Sequence, residues 1–371
     1  MRMQKLLFLS SIDSPQQVKF CGALQEFFDS QFWFYESAVR TRGDFWKIDL
    51  GANCKILGDV FFYTRGPLSE RYWASGLTHQ LDKFSPDIVM LGGFSIPSNW
   101  VAYRWARRHG KKSIVFTERS RDRMGLLRQR GFGWALIRWL YRDIDMVMVT
   151  ADDAVDQFRT EFGFGSKVVA GRYAADLDNY FGHPLREAKP AYTYLFANRM
   201  TAIYNPVGAI NIFASVHSRH PDSRLVMNAT GEMSEACRAR IVALGIVDAV
   251  EFLSDLKSWN ELNKVYARCD ILLLPAHFSN GNFTILEAMA SGMGIVVSNQ
   301  VLGIGKIVQD GENGFNCEPT TESFVNRIER YIQQPDLLKI HAETNRPIVE
   351  PFSAAGTAKF FAGLLGERLG M

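Results

Sequence analysis

The sequence predicts an α/β protein of two domains, each built around a parallel β-sheet. Its 371 residues exceed what one hydrophobic core usually supports. Short apolar runs alternate with helix-like stretches along the chain, which is typical of parallel sheets covered by helices on both faces. A segment with two prolines, "FGHPLREAKPAY" from Phe181 to Tyr192, separates two sets of such runs and is interpreted as the linker.

The predicted strands follow in order. The first set comprises "KLLFLSSI", "DIVMLGG", "SIVFT", "DMVMVT" and "KVVAG", and the second comprises "YTYLFAN", "RLVMNA", "AVEFL", "DILLLP" and "GIVVSN". The aromatic stretch "FFDSQFWFYESAVRTRGDFWK" is expected mostly to pack in the core or on an edge strand. The predicted domains therefore span residues 1–182 and 190–351, with a C-terminal helix over 352–371 that crosses back to the first domain.

Composition excludes several classes of protein. The net charge of +3 implies no nucleic-acid partner. Five scattered cysteines without CxxC spacing indicate buried thiols in a reducing cytoplasm. No apolar run reaches the ~18 residues of a membrane-spanning helix, so any membrane contact is expected to be peripheral, on the inner face.

The turn "FSNGNFT" follows the apolar run "ILLLP", where ligands of open parallel sheets bind. Gly281 lets the backbone approach a ligand. Phe283 and Thr284 begin a helix whose free N–H groups favour a phosphate. Glu287 can only accept hydrogen bonds when ionised, which suits a diol such as ribose. An ordinary strand–helix connection, with a glutamate near the helix N-terminus, fits these residues equally well.

Longer patterns around this turn resemble a known family. "GNFTILEAMASGMGIVVSN" resembles the donor-site signature of the retaining GT-B glycosyltransferases of family 4, the glycosyl transferases group 1. "NATGEM", "VDAVEFLSDLKSWNELNKVYARCDILLLPA" and "IVQDGENGF" are similar to further family motifs, in the family's order. The resemblance implies two Rossmann-like domains that face each other across a cleft, with the donor in the second domain and the acceptor in the first.

The resemblance also assigns residues of the donor site. Glu287 matches the second glutamate of the family's Glu-x7-Glu pair, which holds the nucleotide ribose, and Ser279 replaces the first, which lies near the donor sugar. Arg199 in "ANRMTAIYNP" matches an arginine that clamps the diphosphate, and Tyr204 replaces the family's lysine. The complete predicted donor site is Arg199, Tyr204, Ser279, Asn280, Gly281, Asn282, Phe283, Thr284 and Glu287.

Glu118 and Arg119 in "SIVFTERSRDR" occupy a strand end where the family often carries acceptor-site residues. They are expected to bind the acceptor hydroxyl or the donor phosphate, with Glu118 and Arg199 as the catalytic pair; a salt-bridged strand end is an equal alternative. The family needs no metal, and "DID" (143–145) and "DLD" (176–178) are interpreted as surface carboxylates. No metal and no cofactor besides the donor is expected.

A basic segment crosses the middle of the first domain. Trp134 and Trp139 are interleaved with twelve basic residues, which suits the surface of an anionic membrane. A core-facing helix with a solvated basic side is the alternative. The basic residues are Arg104, Arg107, Arg108, Lys111, Lys112, Arg119, Arg121, Arg123, Arg128, Arg130, Arg138 and Arg142.

By resemblance, the chain is expected to be a hexosyltransferase-like enzyme of polysaccharide biosynthesis. It would move a sugar from a nucleotide-diphosphate donor to a hydroxyl of a glycan or lipid-linked acceptor, with retention of configuration. Two alternatives stay open. One is a non-catalytic GT-B subunit that binds a partner or lipid, which the changes at Ser279 and Tyr204 favour. The other is a different GT-B enzyme, such as a nucleotide-sugar epimerase.

Overall fold

The structure, a computed structural model, describes residues 2–42, 46–58, 60–64, 70–118, 132–150, 152–254, 256, 258, 261–279, 283–301 and 303–370. The chain divides into two compact units. The N-terminal unit comprises Met1–Ala174 together with Ala354–Met371, and the C-terminal unit comprises Ala175–Ser353.

The N-terminal unit contains a seven-stranded parallel sheet and a separate hairpin. Its strands are β1 (Lys5–Ile12), β2 (Asp29–Glu36), β3 (Cys54–Ile56), β4 (Val60–Thr64), β5 (Glu70–Ala74), β6 (Ile88–Gly92), β7 (Lys112–Thr117), β8 (Met146–Val149) and β9 (Val168–Ala170). The sheet has the order β3-β2-β1-β6-β7-β8-β9, and β4 pairs with β5 in antiparallel fashion. The helices are α1 (Pro15–Leu24), α2 (Ala38–Arg42), α3 (Leu77–Phe84), α4 (Pro97–Arg108), α5 (Phe132–Leu140) and α6 (Asp152–Asp156).

Both faces of this sheet are buried, which explains why its strands read as continuous apolar runs. Along β1, Leu7 and Leu9 join one core cluster while Leu6 and Phe8 join the other, following the two-residue period of a strand. The aromatic strand β2 lies inside the sheet, between β1 and β3, and its rings are core residues.

The C-terminal unit repeats the arrangement with a six-stranded parallel sheet. Its strands are β10 (Thr193–Phe196), β11 (Arg224–Asn228), β12 (Val250–Leu253), β13 (Ile271–Leu274), β14 (Gly294–Ser298) and β15 (Phe315–Cys317), in the order β12-β11-β10-β13-β14-β15. The helices are α7 (Asp178–Phe181), α8 (Pro206–His217), α9 (Ser234–Ala243), α10 (Leu262–Arg268), α11 (Phe283–Ala290), α12 (Ile304–Ile307), α13 (Thr321–Gln333) and α14 (Asp336–Val349).

The last helix, α15 (Ala354–Leu369), packs on the N-terminal unit. Phe361 of α15 meets Phe20 of α1 edge to face, with ring centroids 5.0 Å apart. Ala358 and Leu365 are wholly buried in the same cluster. The return of the chain to its first unit is therefore stabilised by an apolar helix–helix contact.

The two parallel sheets confirm the predicted α/β class, and every predicted apolar run forms a strand. Strands β2, β3, β4, β5 and β15 were not among the predicted runs. The boundary also differs, because the structure divides the chain between Ala174 and Ala175 rather than after residue 182.

Much of the predicted linker is bound to the C-terminal unit: buried Arg186 donates to the carbonyl oxygens of Tyr266 (2.5 Å) and Cys269 (2.7 Å). It thereby satisfies carbonyls at the end of α10.

Two further predictions concern the cysteines and membrane-spanning helices. All five cysteines are buried and free. Within the described ranges, no helix has the length and apolarity needed to span a bilayer.

Candidate functional site

The predicted donor residues converge at one edge of the C-terminal sheet. Strands β10 and β13 are neighbours, and the chain leaves them in opposite directions, so a crevice opens beyond their carboxyl ends. Arg199 follows β10, Ser279 follows β13, and α11 begins at Phe283 just beyond. The topology therefore brings an arginine, a polar loop and a helix N-terminus to the place where such sheets bind ligands.

Hydrogen bonds tie the loop after β10 to the loop after β13. The backbone N–H groups of His277 and Phe278 donate to the carbonyl oxygen of Ile203, at 2.8 and 3.2 Å. Asn205 donates from Nδ2 to the carbonyl oxygen of Pro275 at 3.1 Å. The two loops consequently form one supported surface.

The turn that carries Arg199 is held by the loop after β11. Met200 donates to the carbonyl oxygen of Thr230 at 2.8 Å and accepts from the N–H of Met233 at 2.9 Å. Gly231 has φ +144°, and a Cβ there would lie 2.3 Å from the Met200 carbonyl oxygen, so a side chain cannot be accommodated. Arg199 itself is exposed and makes no ion pair with any described residue. Its guanidinium is therefore open to solvent at this edge of the sheet.

The two residues that depart from the family pattern are less exposed. Tyr204 is half-buried and packs against the core of the C-terminal unit. Ser279 is 3% exposed and forms an isolated parallel bridge with Val301. Phe283 and Thr284 are half-buried at the start of α11. The predicted residues Asn280, Gly281 and Asn282 lie outside the described residues.

Glu287 lies inside α11 and is 3% exposed. Tyr266 of α10 donates a hydrogen bond from Oη to Glu287 Oε2 at 2.7 Å. The ring of Tyr180, from α7, meets the Tyr266 ring edge to face with centroids 5.2 Å apart. Glu287 is thus a buried carboxyl held by a buried phenol.

This environment changes the acidity of Glu287. Burial raises the pKa of its carboxyl to about 7; the Tyr266 hydrogen bond opposes that rise, and the negative charge of Asp176 adds to it. Burial, reinforced by the charge of Glu287, also raises the pKa of Tyr266 well above its usual range. Tyr266 therefore remains a hydrogen-bond donor while Glu287 titrates near neutrality.

Two members of this cluster were not predicted as site residues. Asp176 is only 8% exposed, so the interpretation of "DLD" as surface carboxylates is wrong for its first residue; Asp178 is exposed. The short helix α7 folds back against α10 and α11, which removes Asp176 from solvent. Tyr266 lies in the motif run "VYARCD", and its position directly before a buried strand was the available signal.

In the N-terminal unit, Glu118 directly follows β7 and is exposed. It accepts a hydrogen bond from the phenol of Tyr173. Burial raises the pKa of Tyr173 well above its usual range, and the charge of Glu118 adds to the effect, so the phenol stays protonated. Arg119, the other predicted acceptor residue, lies outside the described residues.

The part of the basic segment that carries both tryptophans forms helix α5, and the two rings lie in different environments. In α5, Trp134 packs inward and stacks on Phe162, with centroids 3.8 Å apart. Trp139 is 61% exposed and Leu136 is 44% exposed. Residues 119–131 of this segment are outside the described ranges. The helix therefore has one side in the core and an apolar, basic side in solvent, and contact with a membrane stays a prediction.

Comparisons with known proteins agree with this architecture. A family model described as glycosyl transferases group 1 matches residues 183–346, and one described as glycosyl transferase 4-like domain matches residues 50–171. The first covers the strands and loops around Arg199 and Glu287. The second covers most of the N-terminal sheet.

Curated relatives match part of the chain. An uncharacterized glycosyltransferase of Haemophilus influenzae is 27% identical over 157 residues, covering 42% of this chain and 44% of the relative. A glycogen synthase of Mycobacterium tuberculosis is 24% identical over 186 residues, covering 50% of this chain and 44% of the relative. The chain thus spans less than half the length of these relatives.

Solved structures are similar over nearly the whole chain. A glycosyltransferase from Rickettsia africae has a TM-score of 0.74 at 14% identity and covers 100% of this chain and 99% of its own. Anabaena Alr3699/HepE in complex with UDP and glucose has a TM-score of 0.71 at 13% identity, with 99% and 100% covered. At these identities the likeness shows the fold, and together with both family models it means that the chain belongs to the group 1, or family 4, glycosyltransferases of the GT-B fold.

Proposed function

We propose that the chain transfers a sugar from a nucleotide-diphosphate donor to a hydroxyl of a glycan or lipid-linked acceptor, with retention of configuration and without a metal ion. One observation carries the proposal. An exposed arginine, a helix N-terminus and a buried carboxyl lie together at the crevice beyond β10 and β13. These groups match the diphosphate and ribose of a nucleotide in charge and hydrogen bonding.

Each group has a separate task in this proposal. Arg199 and the N–H groups of Phe283 and Thr284 bind the diphosphate and stabilise the negative charge that develops on it as the sugar leaves. Glu287 accepts hydrogen bonds from the ribose hydroxyls, and Ser279 faces the donor sugar. In the N-terminal unit, Glu118 binds the acceptor hydroxyl, held in place by Tyr173.

UDP is the nucleotide that we propose first. The solved relatives include Alr3699/HepE in complex with UDP-glucose and a pneumococcal O-GlcNAc transferase GtfA in complex with UDP and GlcNAc. UDP-glucose and UDP-GlcNAc are therefore the first donors to test.

The test is calorimetry with UDP in the presence of EDTA, followed by turnover of the two UDP-sugars. We expect binding without divalent metal, because Arg199 and the helix N-terminus supply the positive charge. Binding that appears only with magnesium or manganese would contradict the site. UDP binding without any turnover of donor, with or without added acceptors, would favour the non-catalytic subunit over the enzyme.

We also include peripheral association with the inner face of an anionic membrane in this proposal. Its support is the exposed side of α5, which carries Leu136 and Trp139 among basic residues.

A further inference from the structure

The N-terminal unit has a basic surface centred on one exposed aromatic ring. Trp139 lies between two open grooves, of about 350 and 380 Å³, and lines both. Leu136, one helical turn earlier on α5, is exposed on the same helix. We call this region the Trp139 surface. Its basic residues are Arg104, Arg107, Arg108, Arg138, Arg142 and Lys167.

The charge of the Trp139 surface is poorly balanced. Asp143 is the one carboxylate among the residues that line the two grooves, and it pairs with Arg107 and, at 3.3 Å, with Arg142. Arg108 and Arg138 make no ion pair with any described residue. Arg104 lies over the ring of Trp100, with 5.1 Å from Cζ to the ring centroid. Most of the positive charge is therefore offered to solvent.

The location of this surface in the fold is defined by the strands. Arg108 ends α4 just before β7, Arg142 lies between α5 and β8, and Lys167 immediately precedes β9. All three positions are at the amino edge of the sheet. Glu118 follows β7 at the carboxyl edge, at the other end of a six-residue strand that is about 20 Å long. The basic surface and the proposed acceptor site are thus on opposite edges of the same sheet.

We propose that the Trp139 surface docks on a bilayer that contains anionic phospholipids, with phosphate headgroups in the two basic grooves and Trp139 and Leu136 at the acyl boundary. Charge complementarity selects this occupant, because the grooves present arginine forks that match phosphate oxygens. The exposed indole and leucine supply the apolar contact that a purely electrostatic partner would not need.

The inference deepens the proposed function but does not depend on catalysis. Because the docking edge is opposite to Glu118, membrane contact localises the protein and does not itself form the acceptor site. Docking and turnover of donor in solution should therefore be separable by mutation.

Co-sedimentation of the full chain with vesicles tests the proposal. We expect binding to phosphatidylcholine vesicles that contain phosphatidylglycerol, little binding to phosphatidylcholine alone, and loss of binding as sodium chloride is added. Replacing Arg104, Arg108 and Arg138 together by Gln should weaken binding on the order of 100-fold, since each basic residue contributes about fivefold. Trp139→Ala should weaken it separately.

Controls separate docking from folding and from catalysis. Trp73, 50% exposed on the β4–β5 hairpin, provides the matched aromatic control, and Trp73→Ala should bind vesicles normally. UDP affinity of the Gln and Trp139→Ala variants should be unchanged, because the proposed UDP site lies in the C-terminal unit, and their thermal unfolding followed by circular dichroism reports whether the N-terminal unit folds. If the wild type does not bind UDP, the proposed function is wrong. The docking proposal is then judged by the vesicle experiments alone.

Three results would overturn the inference. These are equal binding to both vesicle types, vesicle binding indifferent to the triple Gln variant, and competition by soluble glycerol 3-phosphate at constant ionic strength. The last would indicate a site for small phosphates instead of a bilayer.

Discussion

The phenol oxygen of Tyr266 lies 2.7 Å from Oε2 of Glu287, and neither side chain is more than 3% exposed. A carboxylate buried this deeply is unfavourable unless hydrogen bonds offset the loss of water. Tyr266 provides one such bond and leaves other lone pairs of Glu287 for a ligand. Burial, with a smaller contribution from the negative charge of Asp176, raises the pKa of the carboxyl to about 7, so both of its forms are populated near neutrality.

The stability of the protein should depend on pH, because the pKa of Glu287 differs between the folded and the unfolded chain. In the unfolded chain the pKa of Glu287 has its ordinary value of about 4.5, whereas in the folded protein it is about 7. The folded state thus binds more protons in this window, so the free energy of unfolding should fall as pH rises through it, by on the order of 3 kcal/mol. We expect Glu287→Gln, which cannot ionise, to lack this fall.

Urea denaturation of the wild type and Glu287→Gln at pH 5 to 8 measures the difference. Comparing the two proteins cancels the titration of the groups that do not interact with Glu287. Parallel pH curves for the two proteins would mean that Glu287 does not titrate in this range.

Removing the phenol hydroxyl should reveal a positioning role for Tyr266. In Tyr266→Phe, the carboxylate loses its donor, and hydrogen bonds to charged groups contribute about 1.5–3 kcal/mol. We expect UDP-glucose to bind at least about tenfold more weakly at pH 8, and the pKa of Glu287 to rise further. Calorimetry across pH measures both effects.

Tyr331→Phe is the matched control for that experiment. Tyr331 is another buried phenol of the same unit, and its oxygen lies 2.8 Å from Nδ1 of His341, away from Glu287. Its loss should lower stability and leave UDP-glucose affinity unchanged. Equal effects of the two substitutions on affinity would reduce Tyr266 to a packing residue.

Arg199→Ala should remove most of the stabilisation of the leaving diphosphate. Loss of one preorganised donor typically costs about 3 kcal/mol, or 10²–10³-fold in kcat. Arg199→Lys should recover only part of the rate, because an ammonium cannot make the bidentate contact. Steady-state kinetics with UDP-glucose gives the comparison.

Arg219→Ala serves as the control arginine, since Arg219 is exposed in the same unit and pairs with Glu329 at 3.2 Å. It should leave kcat unaltered. A similar decrease in both variants would argue against a specific role of Arg199.

Ser279→Glu should change the ranking of donor sugars while leaving UDP affinity nearly unaltered. A glutamate here would accept hydrogen bonds from sugar hydroxyls that serine is too short to reach. Because Ser279 is buried, the charged side chain should also lower stability more than Ser279→Gln does. Competition assays with UDP, UDP-glucose and UDP-GlcNAc measure the ranking of the donors. A uniform loss of affinity for all three would mean that Ser279 does not face the donor sugar.

The sequence by itself determined the class of fold and the edge of the sheet that carries the donor residues. Buried parallel strands must be apolar on both faces, so "KLLFLSSI" and "DILLLP" were recognisable as strands from composition alone. The turn and helix after "DILLLP" then indicated Glu287 as a site residue, and the resemblance to the family assigned Arg199. Strand β15 (Phe315–Cys317) was not predicted because polar Asn316 interrupts it, so it lacks the apolar run by which the equally short β9 was recognised.

Only the tertiary structure decided which polar residues are buried and which rings face water. Asp176 and Asp178 are alike in sequence, yet the packing of α7 against α10 and α11 buries one and exposes the other. Trp134 and Trp139 share one amphipathic helix, and contact with Phe162 places the first in the core while the second stays in solvent. Burial depends on contacts between segments far apart in the chain, and these contacts give Glu287 its proton near neutrality.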